Sequence, residues 1–246
     1  KFLLTGAATL TLLTACTQAS SQSATKSNTA QTTATSTSKN KTNNSNYFTD
    51  KDKDSSYDES KASTVKLSGS SASVSGDGVA VSGSTVTISK PGTYVISGES
   101  DGVQIKVEAG DSDDVHIVLK GVTMTNTNAP ISATKAGHVY LTLADGTTNT
   151  LSDSSSNNDE DADAVIFSKG DLTINGSGAL NIDAKKNNGI KANDTLHITG
   201  GTYKITAVGD AFNVNDELNI TGTTMTIDAD EDAVKVDNDE DTSVGT

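Results

Sequence analysis

A chain of 246 residues with a formal charge of −14 and a sequence pI near 4.4 makes nucleic acid and anionic membrane surfaces poor partners and cations good ones. With 33% hydrophobic residues, 4% aromatic residues and no Trp, a core must be assembled from many small, repeated contributions. All 18 basic residues are Lys, so Arg is absent.

The chain begins "KFLLTGAATLTLLTAC", a Lys, an apolar run from Phe2 to Ala15 and the only Cys. The run is too short and too rich in Thr and Ala to cross a bilayer, which predicts a secretory signal over 1–15. Leu13-Thr14-Ala15-Cys16 resembles the bacterial lipobox, which makes Cys16 the lipidation site and anchors the protein to the outer face of the bacterial cell membrane. One Cys leaves no disulfide framework. From Thr17 to about Asn46 the sequence is almost entirely Ser, Thr, Asn, Gln, Ala and Lys, too polar to offset chain entropy by burial, and residues 16–62 are expected to form a disordered tether.

Residues 63–160 contain alternating runs such as "GTYVISG", "GVQIKVEAG" and "HVYLTLADG" without a clean period, and read as irregular first turns. From residue 161 to 241 a period emerges. Asp163, Asn188, Asp210 and Asp232 each precede a small residue and then a large apolar one, at intervals of 25, 22 and 22. In the same register Leu172, Leu196 and Leu218 align, as do Ile174, Ile198 and Ile220, then Leu180, Tyr203 and Met225, then Ile182, Ile205 and Ile227. Each unit holds three short alternating runs separated by Gly, Asn or Asp, so the chain is all-β. A strand set recurring about every 22 residues predicts a single-stranded parallel β-helix over 63–246. Leu196, Ile198, Tyr203 and Ile205 then point inward, and His197, Thr199 and Lys204 outward.

Stacked strands lie about 4.8 Å apart, so Asp163, Asn188, Asp210 and Asp232 should form a column. Asn193, Asn215 and Asp237 should form a second, beside Asp194, Asp216 and Asn238. Carboxylates at that spacing repel. Two segments, "NNDEDAD" and "DADEDAVKVDNDED", add Asp-x-Asp-x-Asp at 159, 161, 163 and at 228, 230, 232. In an extended chain alternate side chains share a face, and clustered oxygen donors suit Ca²⁺. The candidate metal ligands are therefore Asp159, Asp161, Asp163, Asn188, Asp210, Asp228, Asp230, Asp232 and Asp237. The alternative for isolated turn positions is ordinary turn chemistry and a solvated acidic surface.

Outward Lys169, Lys191 and Lys204 are candidates for pairing with a substrate's negative charge. Lys191 and Lys235 are the candidate bases for a proton abstraction. His116, His138 and His197 fall at outward strand positions with no evident partners, and no Ser/His/Asp spacing supports a hydrolase.

The lipobox, "TVTISKPGTYVISGE", "VHIVLKGVTMTN", "DADAVIFSKGDLTINGSGALNI", "NNGIKANDTLHITGGTYKITAVGDAFNVNDELNITG" and "EDAVKVD" together resemble the bacterial carbohydrate-binding domain-containing lipoproteins over residues 47–241. The resemblance implies a right-handed coil related in shape to pectate lyases, bound Ca²⁺ at Asp163, Asn188, Asp210 and Asp232, and affinity for cellulose- and pectin-like polysaccharides. It implies binding more than cleavage. Relatives commonly continue for further turns, so a truncated C-terminal end, frayed after about Asp237, is expected.

Three functions remain open on the residues. A noncatalytic surface protein would hold acidic glycans through Ca²⁺ and lysines, without Trp platforms for neutral sugars. A Ca²⁺-dependent polysaccharide lyase would use a Lys base. An adhesin or stalk would use the repeats for length alone.

Overall fold

A computed structural model describes residues 47–238. Cys16, the signal segment and the acids from Asp239 onward lie outside the described residues. Among the described residues the one helix is the four-residue turn Asp50–Lys53; the rest of the regular structure is strand. No described helix is long and apolar enough to cross a membrane.

The strands are short, β-branched and alternating, and they stack in parallel across two sheets of twelve and eight strands. Three strands make one rung. Asn188–Ala192, Thr195–Ile198 and Thr202–Ala207 form one, and each pairs with the equivalent strand of the rungs before and after it. The ladders run Leu172–Leu196–Leu218, Ile174–Ile198–Ile220, Leu180–Tyr203–Met225 and Ile182–Ile205–Ile227, as the repeat predicts. Leu196, Ile198, Tyr203, Ile205 and Phe212 are buried in one continuous core. Period-two patterning places them there, because a slip of one residue would turn every apolar side chain outward.

One rung joint differs from the expected register. Ala164 pairs with Asn188 and Ile166 with Ile190, so Val165 is not the partner of Ile190 that the spacing suggested. Both Val165 and Ile166 are buried, and an apolar pair leaves the sequence pattern ambiguous by one position.

The earlier rungs are more regular than their sequence suggests. Ile131–Lys135, His138–Leu143 and Thr148–Ser152 form a complete rung in parallel register with Ala164–Ser168, Asp171–Gly176 and Ala179–Ala184. Its length is inflated by the loop between Ser152 and Ala164, which hides the period. Before it, the single strand Asp114–Thr125 pairs with His138–Leu143 through its first half and with Thr148–Ser152 through its second. Inside this joint Asn149 is fully buried and its Oδ1 accepts the Val122 N–H at 2.9 Å. A polar side chain is stable in the core only when so satisfied. Two antiparallel hairpins, Ser63–Gly69 with Ser71–Ser75 and Val79–Ser82 with Thr85–Ile88, cover the first end of the stack.

Residues 47–62 correct the sequence reading. The expected tether extends to residue 62, but residues 47–62 lie across the outside of the twelve-stranded sheet. Phe48 is 8% exposed and Asp52 only 2%. Tyr57 and Ala62 pack on Val95, Val118 and Ala144. The attachment is made mainly by polar groups and backbone carbonyls, which a hydrophobicity argument does not see.

Candidate functional site

Asn188, Asp210 and Asp232 stack as a column, with Asp163 displaced one position from register with Asn188, and the chemistry is a hydrogen-bond ladder. Asn188 Oδ1 accepts the Asp210 N–H at 3.0 Å, and Asp210 Oδ1 accepts the Asp232 N–H at 3.1 Å. Asp210 Oδ2 accepts from Asn213 Nδ2 at 2.7 Å. Asp163 accepts from Asn187 Nδ2 at 2.6 Å and pairs with Lys191 Nζ at 2.6 Å. The repulsion expected within the column is thus relieved by N–H donors. Asn188 and Asp210 are buried at 3% and 2% exposure, as turn-building groups are.

The first Asp-x-Asp-x-Asp motif does not present three carboxylates on one face. Asp159 turns back to accept the Ala162 N–H at 3.0 Å, while Asp163 faces Lys191 and Asp161 is exposed. Asp228 lies on the strand Thr224–Ala229, and Asp230 and Asp232 fall in the corner beyond it. Asp237 follows the strand Val234–Val236 and gives its N–H to Val214 O at 3.0 Å. The extended-chain geometry behind the metal prediction is therefore not kept at the first corner. Calcium asks for about six to eight converging oxygens. Among the described residues no three His, Cys, Asp or Glu side chains are gathered closely enough to hold a metal ion. As placed, these residues do not fit calcium.

The three predicted substrate lysines are not brought together. Lys191 is occupied by Asp163 on the outer side of the eight-stranded sheet. Lys204 is exposed on the strand Thr202–Ala207, on a different face. Lys169 is exposed at a corner, where it joins Lys135, Thr134, Gly170, Asp111 and Asp194 around a cavity of about 300 Å³. Lys135 pairs loosely with Asp111 at 3.7 Å. Among the described residues Lys169 has no ion-pair partner. The acid column Asp194–Asp216–Asn238 runs past this corner, with Asn238 Nδ2 on Asp216 Oδ1 at 2.7 Å. Burial, then Asp171 and Asp216, push the Asp194 carboxyl above its ordinary value. The corner thus offers two ammonium groups beside a carboxylate of weakened acidity. A second cavity, of about 460 Å³, is lined by Asn157, Asn158, Asp159, Glu160, Asp163, Lys186 and Asn187.

The histidines have partners the sequence did not reveal. His116 Nε2 meets Thr142 Oγ1 at 2.8 Å, and Thr142 donates to Asn175 Oδ1 at 2.5 Å. His138 Nε2 meets Thr173 Oγ1 at 2.8 Å, and Thr173 donates to Asp52 Oδ1 at 2.6 Å. Because each hydroxyl spends its proton on the acceptor beyond, each His is assigned its proton on Nε2. Burial lowers both imidazoles below their ordinary value, against the carboxylates nearby. His138 stacks on Tyr140 at 4.0 Å between ring centres. His197 lies edge-on to Phe48, with its Nδ1 3.4 Å from Asp52 Oδ2.

Comparison with known proteins places the chain. A family model described as carbohydrate-binding domain-containing protein matches residues 82–246. The chain belongs to that family. A carbohydrate-binding domain-containing protein of Acetivibrio thermocellus is 39% identical over 126 residues, covering 49% of this chain and 44% of that protein. The chain thus aligns with less than half the length of that relative. Among solved structures, a polysaccharide lyase-like protein from C. thermocellum, studied as a gadolinium derivative, superposes with a TM-score of 0.61 at 28% identity. The match covers 70% of this chain and 93% of the other.

Proposed function

We propose that this protein is a noncatalytic surface lipoprotein that binds acidic, pectin-like polysaccharide, with the corner between Lys135 and Lys169 as its contact for sugar carboxylates. The supporting observation is that Lys169, without an ion-pair partner among the described residues, shares a cavity of about 300 Å³ with Lys135. A uronate carboxylate there would exchange the weak Asp111 contact for charge-assisted bonds. The all-β stack of parallel rungs is read as a right-handed parallel β-helix, and Cys16 as the acylated anchor holding it outside the bacterial membrane. Calcium is not needed in this reading, since the lysines supply the positive charge. No Trp is present, and Tyr203 and Phe212 are buried, so platforms for neutral sugars are few.

The test compares wild type with Lys135→Ala/Lys169→Ala on immobilised polygalacturonate and on cellulose, with added calcium and with chelator. Loss of at least about tenfold in polygalacturonate affinity is expected, equivalent to about 1.4 kcal/mol, together with a fall in binding as salt rises. Unchanged retention by the variant overturns the site, and a strict need for calcium overturns the lysine mechanism. The lyase-like structural neighbour makes a second readout worthwhile: ultraviolet-absorbing unsaturated products would mark a lyase. Of the two base candidates Lys191 is held by Asp163, whereas Lys235 is exposed on the strand Val234–Val236. Release of a Cys16→Ser variant from the membrane fraction tests the anchor.

A further inference from the structure

The segment 48–62 lies over a set of hydrogen-bond donors that has the form of a binding site. On the outer face of the twelve-stranded sheet, Thr173 stands in register with His197. Asn175 and Thr199 continue the same two rows. These four side chains make a two-by-two grid of donors. Everything they donate to belongs to the segment lying on top. Thr173 Oγ1 donates to Asp52 Oδ1 at 2.6 Å, and Thr199 Oγ1 to Asp52 O at 2.6 Å. Asn175 Nδ2 donates to Asp52 O at 3.2 Å and Asp54 O at 3.1 Å. Phe48 closes the His197 end, and Lys51 lies 4.5 Å over the Tyr140 ring.

The fit is incomplete at one atom. His197 Nδ1 is buried and has no hydrogen-bond partner, although Asp52 Oδ2 is 3.4 Å away. The reason is local. Asp52 Oδ2 already accepts the Thr49 N–H at 2.7 Å and the Thr49 hydroxyl at 2.8 Å, closing the capping box of its own helical turn. The carboxylate is held back by its own segment. A carboxylate free of that restraint could take the Thr173 hydroxyl and a full bond to His197 together, and a buried polar atom left unpaired carries a penalty that such a ligand would relieve.

We infer that the Thr173–Asn175–His197–Thr199 grid is a second recognition site for a carboxylate-bearing sugar, closed in cis by residues 48–62 with Asp52 standing in for the ligand's carboxylate. This rests on the acidic-glycan reading but uses a different face from the Lys135–Lys169 corner. The grid's hydroxyl and amide donors suit a uronate, whose ring oxygens would take the places now held by Asp52 O and Asp54 O. Tyr140 beside the grid offers a ring face where Lys51 now lies.

The experiment is chemical rescue in the full chain. Asp52→Ala vacates the carboxylate position, and acetate is the smallest probe of it. Acetate is expected to raise the melting temperature of D52A by about 3 °C or more over chloride at equal ionic strength, by ligand linkage. Wild type should not respond, and D52A/H197A should lose the response. Galacturonate should bind D52A at least about tenfold more tightly than wild type, and the gain should persist with Lys135→Ala/Lys169→Ala added. Should D52A fail to fold in buffer, recovery of folded protein in acetate but not in chloride is the same readout. A shift equal in chloride, no shift or recovery in acetate, or rescue that survives His197→Ala overturns the inference. Failure here leaves the lysine corner standing. Failure of the Lys135/Lys169 substitutions to weaken polygalacturonate binding leaves the acetate rescue to be judged alone.

Discussion

Asp210 accepts, through Oδ1, the backbone N–H of Asp232 in the following rung at 3.1 Å, while its own N–H is accepted by Asn188 of the preceding one at 3.0 Å. One residue at the turn, through its side chain and its backbone N–H, thus links three successive rungs. Its oxygens are engaged as acceptors, which explains why the sequence keeps Asp or Asn at this place without requiring an ion.

Removing that acceptor should weaken the stack. Asp210→Ala is expected to lose about 2 kcal/mol, since it strips acceptors from Asn213 and Asp232 at a buried position, while Asp210→Asn keeps one carbonyl oxygen and should lose less than half as much. Urea denaturation of the two variants beside wild type measures this. Equal losses would mean that the charge matters more than the acceptor.

Chelation should change nothing in the fold. With no three acidic or imidazole side chains gathered among the described residues, EDTA is expected to leave the melting temperature of the protein unaltered. A drop of several degrees that calcium restores would show that these corners rearrange around an ion.

Packing should be most sensitive in the middle of the stack. Ile205 is fully buried between Ile182 and Ile227, and Ile205→Ala should cost about 2–5 kcal/mol. Ile227, partly exposed, should tolerate the same change with a smaller loss. Gly176 is constrained twice: its φ is 92°, and a Cβ there would collide with the Leu143 carbonyl. Gly176→Ala should therefore destabilise more than Gly146→Ala, where φ is 66° and the space is open. Thermal melts of the four variants decide both comparisons.

Acid should loosen the covered face before it unfolds the stack. His116 and His138 have folded values below their ordinary one, so the unfolded form takes up protons first as pH falls through about 6.5; stability is full above that and declines below it. Asp52 acts lower down. Burial would raise its pKa, but hydrogen bonds from Thr173 and Thr49 and the His197 charge outweigh burial and bring it to about 2 from 3.8. Its contribution is present above the ordinary value and lost as pH falls toward 2. Hydrogen exchange at Asn175 and Thr199 between about pH 7.5 and about pH 5 should show the first stage. His116→Gln/His138→Gln should flatten it.

The repeat was legible because the inward positions obey one rule for three rungs in a row. Leu196, Ile198, Tyr203 and Ile205 needed only alternation and a period to be placed. The acid ladder was legible as a position but not as chemistry, since sequence shows which residues stack and not which backbone N–H each one meets. Lys191 illustrates the same limit: outward it is, yet Asp163, 28 residues earlier, occupies it. The attachment of residues 48–62 left still less trace. It depends on Thr173, Asn175 and Thr199, three ordinary outward polar residues that look like solvated surface until Asp52 arrives over them.

The bond from Thr199 to the Asp52 carbonyl spans 147 positions of the chain. Local pairings form readily, whereas a contact of such sequence separation must await everything between its ends. Tyr57 and Ala62 can pack on Val95 and Val118 early, but Asp52, though synthesised ahead of every strand, completes its bonds only after Thr199 has been laid down. Maturation of this protein ends near its beginning, and its slowest kinetic phase should report the arrival of Asp52.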